Sequence, residues 1–311
     1  MNRRKFIKNI ALSSGLILSN NYLHAAITDR KASKLTILHT NDFHSHIDPF
    51  PLNDPKYPRQ GGIERRAALI NQIRREEENV LLLDAGDIFQ GTPYFNFYKG
   101  ELELKAMSQM GYDASTLGNH DFDNGLEGLE MMLPHANFPF INSNYAFENT
   151  PLYDKVLKNK ILIKNNIKIG VFGLGVELEG LVLSKLYGET KYLNPVEIAN
   201  KQALFLKQDQ QCDLVICLSH LGYHYESNKI DDLKLAKSTK NIDIIIGGHT
   251  HTFLDEPVHV KNSENSKVLV NQVGWAGLRL GRIDVLFFNK KNDINSQAKK
   301  IDFFHKKNLL V

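Results

Sequence analysis

The chain has 311 residues, of which 42% are hydrophobic and 23% are charged, and its formal net charge is +3. This composition excludes an intrinsically disordered protein and predicts a globular one, with one large domain or two modest ones. The small net charge excludes the basic field that would favour nucleic acid as a standing partner.

Residues 1–25 are predicted to be an export signal, because basic residues precede a short apolar stretch at 10–18 and small residues follow at Ala25 and Ala26. That stretch is far shorter than the ~20 residues of a membrane span, so we expect no permanent anchor. Residues 2–8 resemble a twin-arginine signal, and an ordinary signal is the alternative. We expect a periplasmic protein cleaved near Ala25/Ala26. Its mature charge is −1, since the signal holds four of the 38 basic residues and none of the 35 acidic ones.

The first half of the chain alternates apolar stretches typical of buried parallel strands with stretches of helical periodicity. A proline-rich segment, 48–59, is predicted to be a surface loop, and a helix begins after Gly61 and Gly62. The other predicted helices and strands here are helices at 101–110 and 126–133 and strands at 35–39, 80–83, 113–117 and 138–142.

The second half begins with a predicted hairpin region at 152–174. Helices at 195–205 and near Leu233 precede strands at 214–218 and 242–246. Beyond Pro257 the pattern predicts strands, with polar turns at 262–266 and 289–296. We therefore predict an α/β fold in which two β-sheets pack together and are flanked by helices.

The two cysteines, Cys212 and Cys217, flank one predicted strand. Five residues along a strand separate α-carbons by about 16 Å, which is beyond the reach of a disulfide. We predict two buried thiols.

Ligand-type residues follow five of the predicted strands. The carboxyl ends of parallel strands meet at one crevice, so we expect these loops to converge. Each residue alone is a weak signal, since a single histidine after a strand is often only a buried polar residue. Five such loops at the same topological position predict a common site, formed by Asp42, His44, Asp87, Asn119, His120, His220, His249 and His251.

The number of ligands fits two metal ions. The ligands form two sets that share the Asp87 carboxylate as a bridge. One ion would be bound by Asp42, His44, Asp87 and His251, and the other by Asp87, Asn119, His220 and His249. Two cations about 3.5–4 Å apart can hold a shared hydroxide and clamp the attacking and leaving oxygens of a displacement. Carboxylate, imidazole and amide ligands suit zinc, manganese or iron better than magnesium.

The segment 118–123, with the sequence GNHDFD, combines a metal ligand with an acid–base pair. His120 can protonate a leaving group, and Asp123 can hold its imidazole in one tautomer. Taken alone, the segment could also be a Gly-Asn turn closed by aspartate side chains.

Six motifs resemble those of the calcineurin-like metallophosphoesterases, and more narrowly the catalytic domain of the periplasmic 5′-nucleotidase and UDP-sugar hydrolase family. They are TNDFH at 40–44, GGIERR at 61–66, DAGD at 84–87 with QG at 90–91, GNHDFDNG at 118–125, SHLG at 219–222 and GHTH at 248–251. The resemblance implies a four-layer α/β/β/α sandwich with two packed mixed sheets over residues 26–311. It also implies the dinuclear site above, with His120 at the leaving group and Asp123 orienting it.

The chain departs from the family pattern in three places. Asp121 stands where many members have Glu, and His251 where several have Gln or Asn. Family members continue into a second domain that holds the nucleoside, whereas this chain ends at Val311, so we expect no C-terminal nucleotide-binding domain. Either the enzyme is a broad phosphatase, or a separately encoded nucleoside-binding subunit docks near 48–59 and 94–98.

We interpret the chain as an exported dinuclear-metal phosphoesterase that hydrolyses nucleotide 5′-phosphomonoesters. The alternatives are a broad phosphatase, a nuclease or cyclic-nucleotide phosphodiesterase, a thiosulfohydrolase-like enzyme and a non-catalytic metal-binding subunit. The His120–Asp123 pair argues against the last, because a binding module needs no leaving-group acid.

Overall fold

The computed structural model describes residues 32–288, 300–305 and 309–311. The predicted export signal at 1–25 and the predicted turn at 289–296 lie outside these residues. The chain divides into two compact units. The described residues of the small unit are 32–34, 285–288 and 300–303, and all of them are in strands. The large unit comprises residues 35–284 and the described residues after 303.

The described residues form fourteen strands and seven α-helices. The strands are β1 (Ala32–Thr40), β2 (Val80–Asp84), β3 (Ala114–Ser115), β4 (Tyr145–Ala146), β5 (Asn159–Lys164), β6 (Ile167–Gly175), β7 (Lys191–Tyr192), β8 (Leu214–His220), β9 (Ile244–Gly247), β10 (Val258–Lys261), β11 (Lys267–Asn271), β12 (Arg279–Phe288), β13 (Lys300–His305) and β14 (Leu309–Leu310). The helices are α1 (Ile63–Glu76), α2 (Pro93–Tyr98), α3 (Glu101–Met110), α4 (Gly125–Met132), α5 (Ser184–Tyr187), α6 (Pro195–Leu204) and α7 (Asp232–Ser238). None of these helices is long and apolar enough to cross a membrane.

Twelve of the described strands form two mixed six-stranded sheets, and β4 pairs with β7 in an antiparallel two-stranded sheet. The first has the order β13-β12-β1-β2-β3 with β14 paired to β12, and the second has the order β10-β11-β9-β8-β6-β5. Strands β1, β2 and β3 run parallel, as do β6, β8, β9 and β11. Antiparallel strands β5 and β10 close the edges of the second sheet.

Each sheet carries helices on one face. Leu38 and Leu82 of the first sheet share a hydrophobic cluster with Ile70 of α1 and Leu104 of α3. In the second sheet, residues such as Val215 and Ile245 pack with Ala199 of α6 and Leu235 of α7. Helices therefore cover the outer face of each sheet.

The inner faces of the two sheets pack against each other. Leu81 and Leu83 alternate with Leu82 along β2 and are fully buried, so their face of the sheet is covered too. Nδ2 of Asn271 on β11 lies 2.9 Å from Nε2 of His39 on β1, which links the sheets directly. The predicted four-layer α/β/β/α sandwich with two packed mixed sheets is confirmed.

Two predicted strands are shorter than expected. The strand predicted at 113–117 is reduced to β3, and residues 138–142 form only isolated bridges through Phe140 and Ile141. Both of these side chains are buried. An apolar stretch therefore indicated burial correctly but not strand pairing. Cys212 and Cys217 are buried free thiols, as predicted.

Candidate metal centre

The predicted ligands lie in the loops after β1, β2, β3 and β9 and, for His220, at the last residue of β8, and the structure brings most of them into two clusters. In each cluster the potential ligand atoms lie within 4.8 Å of one another. The Asp42 cluster consists of Asp42, His44 and His251, and the Asp87 cluster consists of Asp87, His220 and His249.

The Asp42 cluster has one exposed member. Nε2 of His251 lies 3.3 Å from Oδ1 of Asp42 and 3.0 Å from Nε2 of His44. Nδ1 of His44 donates to the carbonyl of Gln90 at 3.2 Å, which leaves the lone pair of its Nε2 for a metal. The side chain of His251 is 38% exposed, whereas Asp42 is fully buried.

The Asp87 cluster also has two buried members, Asp87 and His220, and one partly buried member, His249. Nδ1 of His220 donates to the carbonyl of Ala85 at 2.7 Å, and its Nε2 lies 3.0 Å from Oδ2 of Asp87. This buried Nε2 has no hydrogen-bond partner of good geometry among the described residues. The buried Oδ1 of Asn119 also lacks one. Buried polar atoms without partners are costly, so both atoms fit the role of metal ligands.

The Asp87 carboxylate lies between the two clusters. Its Oδ2 is 3.7 Å from Nε2 of His44 as well as 3.0 Å from Nε2 of His220. Its Oδ1 accepts a hydrogen bond from the backbone N–H of His120 at 2.8 Å. One carboxylate therefore faces imidazoles of both clusters, as a bridging ligand must.

The electrostatics of the site favour an ionised Asp87 and neutral His44 and His249. Burial lowers the pKa of His44, and it lowers that of His249 to about 4. Burial disfavours the charged form of Asp87, but attraction to His220 outweighs it and lowers the pKa of the carboxyl group. Neutral imidazole and ionised carboxylate are the forms that bind metals. Burial disfavours the charged form of His220, but attraction to Asp87 outweighs it and raises the pKa of His220 to about 10, so His220 must give up a proton when it binds a metal.

All six cluster residues except His220 have a left-handed backbone. Their φ angles lie between 49° and 74°, in Asp42, His44, Asp87, His249 and His251. Such angles cost free energy in residues other than glycine and persist where the surrounding structure enforces them. Backbone strain is therefore concentrated at the ligands.

Two polar side chains that the sequence analysis did not assign hold the ligand loops in this conformation. The Asp121 carboxylate accepts hydrogen bonds from the backbone N–H groups of Asp87 at 3.0 Å and Gly118 at 2.8 Å. Nδ2 of Asn41 donates to Oδ2 of Asp42 at 2.6 Å. Gly118 allows the close approach, since a Cβ there would lie 2.1 Å from Oδ1 of Asp87. The only signal that could have pointed to Asp121 was its place between His120 and Asp123 in the segment 118–123.

His120 and Asp123 form the predicted pair. Nδ1 of His120 lies 2.8 Å from Oδ2 of Asp123, and this hydrogen bond raises the pKa of His120. The imidazole is 37% exposed, and its ring centroid lies 5.2 Å from that of His44. Its Nε2 makes no hydrogen bond with the described residues and is available to a substrate.

Comparisons with known proteins agree with this geometry. Residues 35–253 match the calcineurin-like phosphoesterase family. A snake venom 5′-nucleotidase from Gloydius brevicauda is 36% identical over 288 residues, which cover 86% of this chain and 48% of the relative. The chain spans about half the length of the curated relatives it matches.

Two solved structures share the fold. A 5′-nucleotidase precursor from Thermus thermophilus superposes with a TM-score of 0.75 at 31% identity, covering 88% of this chain and 55% of that one. The NAD nucleotidase of Haemophilus influenzae has a TM-score of 0.76 at 28% identity, covering 90% and 51%.

Proposed function

This chain belongs to the calcineurin-like phosphoesterase family, and from that membership we propose that it hydrolyses nucleotide 5′-phosphomonoesters at a dinuclear metal centre. The observation that carries the proposal is the Asp87 carboxylate, which faces imidazoles of both clusters beside the His120–Asp123 pair. We assign these roles to one catalytic domain over residues 26–311.

Seven residues would hold the two ions. When bound, divalent cations supply Lewis-acid chemistry at the phosphoryl oxygens. The carboxylate, imidazole and amide groups of these residues suit zinc, manganese or iron. The residues are Asp42, His44, Asp87, Asn119, His220, His249 and His251. The partnerless Nε2 of His220 and Oδ1 of Asn119 support this assignment.

His120 acts on the leaving group. The oxygen that departs from a phosphomonoester is strongly basic, so a proton from Nε2 of His120 lowers the barrier, typically by ~10²-fold to 10⁴-fold in rate. Asp123 holds the proton on Nδ1 and so presents Nε2 to the substrate. Once Nε2 has given up its proton, the ring is left in the tautomer that the Asp123 hydrogen bond stabilises.

The test is hydrolysis by the purified chain of AMP, bis-(p-nitrophenyl) phosphate and a thiosulfate ester in parallel, with manganese or zinc added. We expect phosphate release from AMP to exceed the other two reactions. Faster cleavage of the diester would favour a phosphodiesterase, and cleavage of the sulfur compound alone would favour a thiosulfohydrolase. No hydrolysis by a chain loaded with two ions would favour a non-catalytic subunit.

We further propose that a separately encoded subunit completes the nucleoside pocket. Phe97 is 81% exposed and Tyr98 is 52% exposed, whereas Phe95 of the same helix is buried. The hydroxyl of Tyr94 donates to Oδ2 of Asp48 at 2.7 Å, which joins the 48–59 and 94–98 segments into one surface. This surface supports docking beside the metal centre.

Substrate preference tests the subunit. For the chain alone we expect catalytic efficiencies for AMP and a bare sugar phosphate that differ by less than roughly a hundredfold, about 2.7 kcal/mol of transition-state binding. A larger preference for AMP would show that this chain binds the nucleoside unaided and would contradict the proposal.

Finally, we propose that residues 1–25 direct twin-arginine export to the periplasm. Substituting both Arg3 and Arg4 by Lys should then block export in a cell fractionation assay. Unchanged export would leave only the general secretory route.

A further inference from the structure

The predicted histidine ligands differ in what fixes their rings. Backbone carbonyls accept hydrogen bonds from Nδ1 of His44 and from Nδ1 of His220. His251 has no such bond among the described residues, and the contacts of its ring nitrogens are made by Nε2, toward Asp42 and His44. It is also more exposed than His44 or His220. The plane of this ring is therefore not fixed by a hydrogen bond to a backbone carbonyl.

The indole of Trp275 lies against the His251 ring. The two planes are parallel to within 1°, and the centroids are 5.5 Å apart, which is the geometry of an offset stack. The edge of the indole is packed in turn, because the ring of His46 meets it at 87° and a centroid distance of 5.1 Å. Phe50 meets it at 75° and 5.9 Å. Two further rings therefore hold the indole besides that of His251.

The backbone around Trp275 is tied to the loop that carries Asp42. The N–H of Ala276 donates to the carbonyl of Asp42 at 2.7 Å. On the other side, the carbonyl of Gly274 accepts a hydrogen bond from Nδ2 of Asn41 at 2.6 Å. Gly274 has a φ of 80°, and a Cβ there would lie 2.1 Å from the ring of Phe253, so the turn needs glycine. The indole thus has a fixed position relative to a predicted ligand of the same cluster.

We propose that Trp275 is a positioning residue that orients His251 by stacking, in the place that a hydrogen-bonding partner takes for His44 and His220. The inference rests on the proposed metal centre. It predicts that Trp275 governs the ion of the Asp42 cluster and leaves the ion of the Asp87 cluster unaffected. Outer residues that orient a ligand typically change metal affinity by about 10-fold to 100-fold.

The chain supplies its own reporter, because Trp275 is the single tryptophan of the sequence. An indole stacked on a metal-bound imidazole lies close enough for a transition-metal ion with unpaired electrons to quench its fluorescence. Titration of the full chain with Co²⁺ should therefore quench the tryptophan emission. Most of the quenching should accompany the second, more weakly bound equivalent, which we assign to the Asp42 cluster.

Isothermal titration of Co²⁺ into four full-length chains tests the proposal: the wild type, Trp275→Phe, Trp275→Leu and Phe205→Leu. In Trp275→Leu we expect one of two equivalents to bind about 10-fold to 100-fold more weakly and the other to be unchanged. Trp275→Phe keeps a flat ring and should restore most of the lost affinity. Phe205→Leu is the matched control, since Phe205 follows α6 on the outer face of the second sheet and is 36% exposed, and it should bind two ions as the wild type does.

Four results would overturn the inference. The first is that Trp275→Leu binds both ions with wild-type affinity. The second is that Trp275→Phe and Trp275→Leu lose affinity equally, and the third is that Phe205→Leu shows the same loss. The fourth is that wild-type fluorescence does not respond while calorimetry shows two ions bound. Each of these leaves the dinuclear centre standing. A wild-type chain that binds no Co²⁺ would instead overturn the proposed function together with this inference.

Discussion

The Asp42 and Asp87 clusters contain the same donors, one carboxylate and two imidazoles, in different surroundings. His220 of the Asp87 cluster is fully buried and tied to a backbone carbonyl. His251 of the Asp42 cluster is 38% exposed and is held by a stacked ring. His220 and His251 thus differ in their access to water and in the contact that holds the ring.

This difference predicts two unequal ions. Electrostatic attraction between a cation and a carboxylate is stronger where water is excluded, and ligands that are already oriented lose less freedom on binding. We expect the Asp87 cluster to fill first and to release its ion more slowly. Four experiments would test whether the two ions are bound unequally, and the one with the largest expected effect comes first.

Asp87→Asn should abolish the difference between the clusters by removing the carboxylate they share. We expect both ions to be lost and activity to fall to that of the metal-free chain, as measured by metal analysis and phosphate release. Asp113→Asn is the matched control. Asp113 lies just before β3, at the opposite end of the strand from the ligand loop, and its Oδ1 pairs with Nζ of Lys164 at 2.9 Å, so this variant should keep both ions. Two ions in Asp87→Asn would contradict the bridging role.

His120→Asn should remove activity without touching either cluster. The expected loss is ~10²-fold to 10⁴-fold in kcat, because the leaving group departs without a proton donor. Metal analysis should still find two ions, since no ligand has changed. Loss of metal from this variant would place His120 among the ligands rather than at the leaving group.

His251→Ala should separate the clusters. We expect the affinity for one ion to fall by more than about 100-fold, beyond the usual effect of an outer residue, while the other ion binds as before. Calorimetry would resolve the two equivalents. Equal weakening of both ions would show that the clusters act as one.

Release of metal from the unaltered protein should show the smallest effect. With dilute chelator in excess, we expect two phases, the faster from the Asp42 cluster, with rates about 10-fold apart, or ~1.4 kcal/mol. Stopped-flow detection with a colour-forming chelator would follow both phases. A single phase would argue that solvent access does not distinguish the ions.

The sequence was informative about the ligands because parallel strands end at one edge of a sheet. That rule brought Asp42 near Asp87 in the first sheet and His220 near His249 in the second, and the packing of the two sheets brings the two edges together. The fold class and the family resemblance followed from the same motifs and are confirmed. The roles of individual ligands stay predictions.

Support around the ligands was not predictable in this way. The hydrogen bonds of Asp121 and the stack of Trp275 on His251 depend on where loops distant in sequence meet. No local pattern encodes such meetings. The apolar stretch at 138–142 likewise indicated burial but not its lack of regular pairing.

The most direct test of the account is the activity of the metal-free chain toward AMP as Mn²⁺ is added in measured equivalents. A dinuclear centre whose Asp87 cluster fills first predicts little phosphate release up to one equivalent, a rise through the second and a plateau at two. Full activity at one equivalent, or none with two ions bound, would contradict the account.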